Sequence, residues 1–204
     1  MIMKGKKMSF TNKDIKQLRE KMGAGIMDCK EALKQSNGDM EKAVLFLRKK
    51  GVELKAKKST RIAREGAIES YVHLNSKIGV LIEVNCETDF VARTDDFKEL
   101  TKNLAMQIAA SAPLYIDKSR VSQDVIEKEK DLYRSQAKNK PEKIKEKIVE
   151  GKLEKFFQEV CLMAQPFIRD TNITVGDYLT SKIAKIGENV VIRRFVRYQL
   201  GEEL

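Results

Sequence analysis

The sequence has few of the residues from which most active sites and metal centres are built. Among 204 residues there are three cysteines, one histidine and no tryptophan. Cys29, Cys86 and Cys161 are odd in number and far apart, which favours reduced thiols and gives no support to a zinc site. His73 lies in a strand-like run and is interpreted as structural, so the usual hydrolytic constellations cannot be assembled. We therefore expect no enzyme activity, no metal site and no cofactor.

Long hydrophobic runs are also absent. The longest apolar run is far shorter than the roughly 18 residues that suggest a membrane span. The segment Met1–Lys7 lacks the apolar core of a signal peptide. A hydrophobic content of 42% is nevertheless compatible with ordinary globular folding, and 204 residues leave room for one sizeable core or two small domains. We expect a cytoplasmic globular protein.

The chain has few acidic residues relative to its basic ones, and its net charge is +10. Such an excess favours contact with nucleic acid, an anionic membrane surface or an acidic protein, and it does not choose among them. Eight basic residues lie between Arg48 and Arg64 against the single acid Glu53. We interpret residues 52–65 as a basic linker. A solvated, partly helical connector is favoured over an electrostatic patch that binds RNA or an acidic partner.

Three short helical patterns predict a compact three-helix domain over residues 1–51. The first runs from Asn12 to Met22, begins at the capping pair Thr11 and Asp14, and ends at Gly23. The other two are defined by apolar residues at helical spacing and by the glycine that follows them: Met27, Ala32 and Leu33 before Asn37-Gly38, then Met40, Ala43, Val44 and Leu47 before Gly51.

From Gly66 onward the apolar period changes to two, which predicts an α+β core domain over residues 66–204. The runs 67–74 and 78–86 are rich in β-branched residues and predict an antiparallel hairpin. The run 190–200 predicts a third strand that completes a three-stranded antiparallel sheet with helices on one side.

The helices of this domain follow from apolar spacing and from breaks in the sequence. Thr94 or Asp95 can cap a helix that ends near Pro113. Its apolar residues recur at helical spacing: Phe97, Leu100, Leu104 and Ile108. The segment 121–164, dense in Lys and Glu and interrupted at Pro141, predicts a protruding helical hairpin. Another short helix is predicted around residues 175–186.

One loop, Asn85–Arg93, leads from a predicted strand into a predicted helix and places a carboxylate beside a large aromatic ring. Loops held by rigid elements often carry function. Asp89 and Phe90 could form a wedge that enters an apolar crevice of a partner. Alternatively, Phe90 packs into its own core and Asp89 caps the next helix, and this second interpretation is the one that physics alone favours. The sequence contains no Walker loop or dinucleotide-binding fingerprint.

Two stretches carry a resemblance to a known family. The sequence TDFVA at 88–92, following EVNC at 83–86, and the sequence LREKMGAGIMDCK at 18–30 resemble the two landmarks of the elongation factor Ts family. Further similarity is seen at residues 37–39, 108–113, 149–152, 165–167 and 186–189, so the resemblance covers nearly the whole chain. The chain resembles the short form, which has a single core subdomain.

The resemblance implies a translation elongation factor that acts as a guanine-nucleotide exchange factor. Such a protein binds elongation factor Tu·GDP, disturbs its magnesium and phosphate site, and stabilises the nucleotide-free state until GTP binds. The residues implied in magnesium dislocation are Thr88, Asp89, Phe90 and Val91. The residues implied in binding the nucleotide-binding domain of Tu are Arg19, Ile26, Met27 and Lys30.

The short form further implies a symmetric homodimer in a two-plus-two complex with Tu, because a second protomer replaces the missing subdomain. The chain is expected to hold no stable nucleotide of its own and to bind no membrane. Two alternatives stay open: an RNA-binding or ribosome-binding protein that uses the basic linker, and a peptide-binding module, since the N-terminal domain resembles ubiquitin-associated domains. The second alternative accounts for the first quarter of the chain alone.

Overall fold

The computed structural model describes residues 10–138 and 140–203, and its α+β architecture matches the prediction. The segment Met1–Lys7, predicted to lack a leader core, lies outside the described residues. In chain order the helices and strands are α1 (Asn12–Met22), α2 (Ile26–Gln35), α3 (Met40–Lys58), β1 (Glu65–Val72), β2 (Ile78–Cys86), α4 (Asp89–Ala92), α5 (Asp95–Ser111), α6 (Gln123–Gln136), α7 (Glu142–Val160), β3 (Pro166–Phe167), β4 (Asp170–Thr174), α8 (Val175–Ile186) and β5 (Val191–Gln199).

The chain divides into two compact units. The first comprises the described part of Met1–Gly66 with Asn85–Leu100 and Leu179–Val191, and the second comprises Ala67–Val84 with the described parts of Thr101–Tyr178 and Ile192–Leu204. The division into an N-terminal domain, a basic linker and a core domain at residues 1–51, 52–65 and 66–204 stays a prediction.

Capping residues set the limits of α1, as the sequence predicts. The Thr11 N–H donates to Asp14 Oδ2 at 2.7 Å, and the Asp14 N–H donates to Thr11 Oγ1 at 3.4 Å. The bond from the Thr11 backbone lowers the pKa of Asp14. At the other end Gly23 adopts a left-handed conformation with φ of 65°, which glycine reaches without steric strain because it has no Cβ atom. The three helices α1 to α3 share a buried core: Ile15, Leu18, Cys29, Ala32, Leu33, Ala43, Val44 and Leu47.

The third helix is longer than predicted. We expected Gly51 to end α3, and this expectation is wrong because the helix continues to Lys58. Gly51 is buried, and a Cβ atom at this position would lie 3.4 Å from Thr180 Cγ2. Glycine is therefore used here for close packing inside the helix. Residues 52–58 of the predicted linker are consequently helical.

The three-stranded sheet has the order β1-β2-β5 and is antiparallel, as predicted. The turn between β1 and β2 places Asn75 and Ser76 at positive φ. The Leu200 N–H donates to the Lys77 carbonyl at 2.8 Å just beyond the ends of β5 and β2. The core face of the middle strand β2 is formed by Val80, Ile82 and Val84, which are buried. The predicted core residues of α5 are also buried: Phe97, Leu100, Leu104 and Ile108.

A second, two-stranded sheet was not predicted. It pairs β3 with β4 in antiparallel fashion. The buried side chain of Gln107 holds it: Nε2 donates to the Pro166 carbonyl at 3.2 Å, and Oε1 accepts from the Ile168 N–H at 2.8 Å. Strands this short carry little periodic signal, and a tertiary hydrogen bond from α5 fixes them.

The predicted helical hairpin is confirmed as α6 and α7, with Pro141 as the N-cap of α7. A small core at the base of the pair consists of Val121, Phe157 and Cys161. Partly buried apolar residues pack against it: Tyr115, Val125, Ile126, Leu153, Phe156, Val160 and Ala164.

One buried lysine organises the charges of α5 and α8. Lys182 is 9% exposed, and its Nζ donates to Glu99 Oε2 at 2.7 Å and lies 3.7 Å from Asp96 Oδ1. Lys185 also donates to Asp96. The hydrogen bond from Lys185 lowers the pKa of Asp96, and the bond from Lys182 lowers the pKa of Glu99.

These lowered pKa values predict that acid destabilises the fold. The stabilisation is fully present above the usual pKa values of 3.8 for Asp96 and 4.5 for Glu99, and it is lost as the pH falls through the lowered values of the folded state. Lys182→Met removes the ammonium group, so the free energy of unfolding should depend less steeply on pH below about 4.5.

Urea unfolding at a series of pH values from about 3 to 6 measures this dependence. Lys16→Met is the matched control, because Lys16 is 79% exposed on α1 and should leave the pH dependence unchanged. Equal slopes for the wild type and Lys182→Met would contradict the assignment.

Candidate partner-binding loop

The loop between β2 and α5 is built around a single helical turn, α4. Thr88 caps this turn, because its Oγ1 accepts a hydrogen bond from the Val91 N–H at 3.3 Å. Thr94 caps the next helix, since its Oγ1 accepts from the Phe97 N–H at 3.3 Å. Two threonine caps therefore fix both ends of the turn and the direction of its side chains.

Neighbouring residues of α4 have opposite environments. Phe90 is 77% exposed, whereas Val91 is 7% exposed. The interpretation that Phe90 packs into its own core is therefore wrong. Successive residues of a helix point in directions about 100° apart, so the turn can bury one of the two side chains, and Val91 takes that position. A phenylalanine held outward by an anchored neighbour can bind an apolar crevice of another molecule.

The interpretation that Asp89 caps the next helix is also wrong, because Thr94 caps α5. Asp89 Oδ2 instead forms an ion pair with Arg93 Nη2 at 2.8 Å. The two side chains are 63% and 80% exposed, and exposed ion pairs of this kind typically contribute about 0–1 kcal/mol. The carboxylate of Asp89 is therefore free to exchange Arg93 for a partner group at little cost.

A carboxylate from the far end of the chain holds the entrance to the turn. Glu188 Oε2 accepts hydrogen bonds from the N–H groups of Glu87 and Thr88, both at 3.0 Å. Glu188 Oε1 accepts a third bond from Thr88 Oγ1 at 2.7 Å. Bonds to an ionised acceptor are stronger than bonds between neutral groups. Glu188 thus fixes both the backbone and the hydroxyl of the capping residue.

The neighbours of Glu188 and Thr88 complete a reciprocal network. The Asn189 N–H donates to Glu87 Oε1 at 2.6 Å, and Asn189 Nδ2 donates to the Arg61 carbonyl at 2.8 Å. The Arg61 guanidinium lies 3.6 Å from the Glu87 carboxylate. Sequence reasoning missed Glu87, Glu188 and Asn189 as parts of this site. The available signal was the family resemblance at residues 186–189, which gave no role to any side chain.

Cys86 supports the loop without offering a reactive group. Its Sγ donates to the Thr88 carbonyl at 3.1 Å, and burial raises the pKa of the thiol to about 11. The thiol is therefore protonated at neutral pH and is a poor nucleophile.

The second predicted group of site residues lies on α1 and α2. Ile26 and Met27 begin α2 and are 54% and 75% exposed. Lys30 follows one turn later and is exposed, as is Arg19 on α1. Burial in the core shared by α1 to α3 raises the pKa of the Cys29 thiol. This group and the loop belong to the same compact unit.

Neither a metal site nor a membrane span is evident in the part of the chain that the structure describes. Within residues 10–138 and 140–203, no three His, Cys, Asp or Glu side chains are grouped so that they could hold a metal ion. In the same ranges no helix has both the length and the apolar content needed to cross a membrane.

Comparison with known proteins assigns the chain to a family. A family model described as Elongation factor TS matches residues 8–202. The chain is 59% identical over 197 residues to an elongation factor Ts of Carboxydothermus hydrogenoformans, which covers 96% of this chain and 91% of the relative. It is 60% identical over 188 residues to an elongation factor Ts of Thermotoga maritima, and this match covers 92% of this chain and 94% of the relative. It is 55% identical over 199 residues to an elongation factor Ts of Syntrophus aciditrophicus, and this match covers 97% of this chain and 99% of the relative. The match extends along nearly the whole chain, which therefore belongs to the elongation factor Ts family.

Proposed function

We propose that this protein is a translation elongation factor that accelerates the release of GDP from elongation factor Tu. The observation that carries the proposal is the exposed side chain of Phe90 beside the buried Val91 on a capped helical turn. An exposed aromatic on a fixed support is a typical anchor for a protein partner. The protein makes and breaks no covalent bond in this role, requires no cofactor, and acts in the cytoplasm.

The proposed mechanism begins with the insertion of Phe90 between packed side chains of Tu near its magnesium site. Asp89 accompanies the ring and leaves Arg93 at little cost, because their ion pair is exposed. Thr88 and Val91 support the two residues from within the loop. Displacement of the packed side chains weakens the contacts of Tu to its magnesium ion and to the phosphates of GDP.

Thermodynamic linkage sets a limit on this mechanism. If the factor binds the nucleotide-free state of Tu more tightly, bound GDP must weaken the factor's affinity for Tu by the same ratio. A coupling of about 3 kcal/mol corresponds to a ratio of about 150. Exchange is therefore reversible, and GTP completes the cycle by rebinding Tu and displacing the factor.

The group on α1 and α2 supplies docking energy in this proposal. Ile26 and Met27 present apolar surface, and the charges of Lys30 and Arg19 border it. An apolar centre with a charged rim is the usual composition of a protein interface. We assign this surface to the nucleotide-binding domain of Tu.

The proposal includes a homodimer that carries two copies of Tu. All three strands of the sheet expose apolar side chains, among them Ile68, Leu81, Val196 and Tyr198. Leu81 lies between the buried residues Val80 and Ile82, so it faces away from the core. A second copy of the chain could cover this apolar surface, to which β5 contributes Val196 and Tyr198.

Replacement of Phe90 tests the wedge. Phe90→Ala should slow the maximal release of a fluorescent GDP analogue from Tu by about thirtyfold, the rate change that corresponds to about 2 kcal/mol at an interface anchor. Leu132→Ala is the control, because it removes an exposed apolar side chain from α6. If the wild type fails to accelerate release, the proposed function is wrong; if Phe90→Ala is as fast as the wild type, the wedge is wrong.

Replacement of Lys30 tests the docking surface. Lys30→Ala should raise the concentration of factor needed for half-maximal release by about fivefold and leave the maximal rate unchanged, because a rim charge contributes to association. The same titration with Lys16→Ala, at another exposed position of the three-helix region, should match the wild type. A loss of maximal rate in Lys30→Ala would place Lys30 in the exchange step instead. An RNA-binding protein would instead lose affinity steeply with salt and be indifferent to Phe90.

Sedimentation tests the dimer. Leu81→Lys should convert the dimer into a monomer, because burial of an unpaired ammonium group costs several kcal/mol. Leu74→Lys, in the turn after β1 where the side chain is 79% exposed, should leave the association unchanged. If both variants sediment as dimers, the exposed face of the sheet is not the dimer interface.

A further inference from the structure

Glu188 lies at the entrance of α4 and forms hydrogen bonds with Thr88, one of the residues predicted to bind a partner. Glu188 accepts three hydrogen bonds from Glu87 and Thr88, at 3.0, 3.0 and 2.7 Å. We infer that Glu188 is a positioning residue for nucleotide exchange, acting through Thr88 to hold Phe90 in its outward orientation. This inference rests on the proposed function, which it deepens.

The hydroxyl of Thr88 links Glu188 to the helical turn. A hydroxyl has one hydrogen to donate and two lone pairs that accept. Thr88 Oγ1 donates its hydrogen to Glu188 Oε1 and accepts from the Val91 N–H at 3.3 Å. Because Glu188 takes the hydrogen, a lone pair of the hydroxyl faces the Val91 N–H. The carboxylate therefore sets the orientation in which Thr88 caps α4.

The turn that carries Phe90 is too short to be stable without such a cap. An isolated helix is marginal below roughly 12 residues because nucleation is unfavourable, and α4 has four residues. The Thr88 cap and the bonds to Glu188 hold its entrance together with the bond from Cys86 Sγ to the Thr88 carbonyl, and its anchor is the buried side chain of Val91. Loss of the carboxylate should therefore loosen the entrance of the turn while Val91 stays buried.

Glu188 can fix the loop because its own segment is fixed. Gly187 ends α8 with φ of 85°, and its N–H donates to the Ile183 carbonyl at 3.0 Å. Lys58 donates to the Gly187 carbonyl, and Asn189 Nδ2 donates to the Arg61 carbonyl at 2.8 Å. Hydrogen bonds on both sides of Glu188 thus hold its backbone, as a support for a functional residue requires.

This arrangement predicts a particular kinetic effect. The docking surface on α1 and α2 does not involve Glu188, so its removal should leave the affinity for Tu nearly unchanged. The maximal rate of GDP release should fall in proportion to the fraction of molecules with an ordered loop. Glu188→Gln retains the size of the side chain but presents an amide N–H2 to the Thr88 hydroxyl, which then has no acceptor there. We expect about a tenfold lower maximal rate and less than about a threefold change in half-saturation.

A spectroscopic experiment tests the positioning role without Tu. The chain contains no tryptophan, so Phe90→Trp introduces a single indole, which can be excited selectively over the five tyrosines, at the tip of the loop. Time-resolved fluorescence anisotropy should show more rapid local motion of the introduced indole when Glu188→Gln is added. Glu203→Gln, the same change at an exposed position, is the matched control and should leave the motion unchanged. Thr88→Val, which removes the linking hydroxyl, should increase the motion of the indole as Glu188→Gln does. If circular dichroism shows that Glu188→Gln does not fold, the result for Thr88→Val tests the positioning role in its place.

A double-mutant cycle tests the functional consequence. If Glu188 acts through Phe90, then Phe90→Ala with Glu188→Gln should release GDP within about twofold of the rate of Phe90→Ala alone. Independent effects would multiply and make the double variant about tenfold slower than Phe90→Ala. Such multiplication, or unchanged motion of the introduced indole, overturns the inference. Failure of the wild type to accelerate release overturns the proposed function instead, and the anisotropy measurement still decides whether Glu188 orders the loop.

Discussion

The hydrogen bonds between Glu188 and the Glu87-Thr88 backbone join parts of the chain that lie 101 and 100 residues apart in sequence. They connect the end of α8 to the entrance of α4, and Asn189 extends the connection to Arg61 beyond the end of α3. Each bond has a backbone group or a carboxylate as one partner, so the geometry depends on few flexible side chains. In the inferred arrangement, these bonds hold the turn that carries the exposed side chain of Phe90.

Burial and charge serve different purposes in this protein. Apolar residues at regular helical and strand positions build the cores, and their burial supplies most of the folding free energy. The ion pairs that charged residues form are mostly exposed and contribute little individually. Lys182, which is 9% exposed beside Glu99 and Asp96, is an exception, and its ion pairs are expected to make stability depend on pH. The proposed function requires this division, since binding surfaces must stay exposed on a support that is stable without them.

Much of the fold could be predicted because its signals are local. The Thr11 capping box, the apolar period of α5 and the helix at residues 175–186 were all confirmed. The failures are equally specific. Gly51 carries a helix-ending signal, but close packing beside Thr180 keeps α3 intact. The β3-β4 pair depends on Gln107, whose hydrogen bonds no local pattern reveals.

The sequence by itself determined most of the helices, the three strands of the larger sheet, the family, and the identity of the residues at the tip of the loop. These properties follow from side-chain spacing, capping residues and a motif, all of which are readable within a few consecutive residues. Tertiary structure alone decided that Phe90 points outward and that Glu188 holds Thr88. Burial of one residue of a helical turn instead of its neighbour, and a hydrogen bond across 100 residues, depend on which distant groups meet in space. The residues next to Phe90 and Thr88 in the sequence do not indicate which distant groups will contact them.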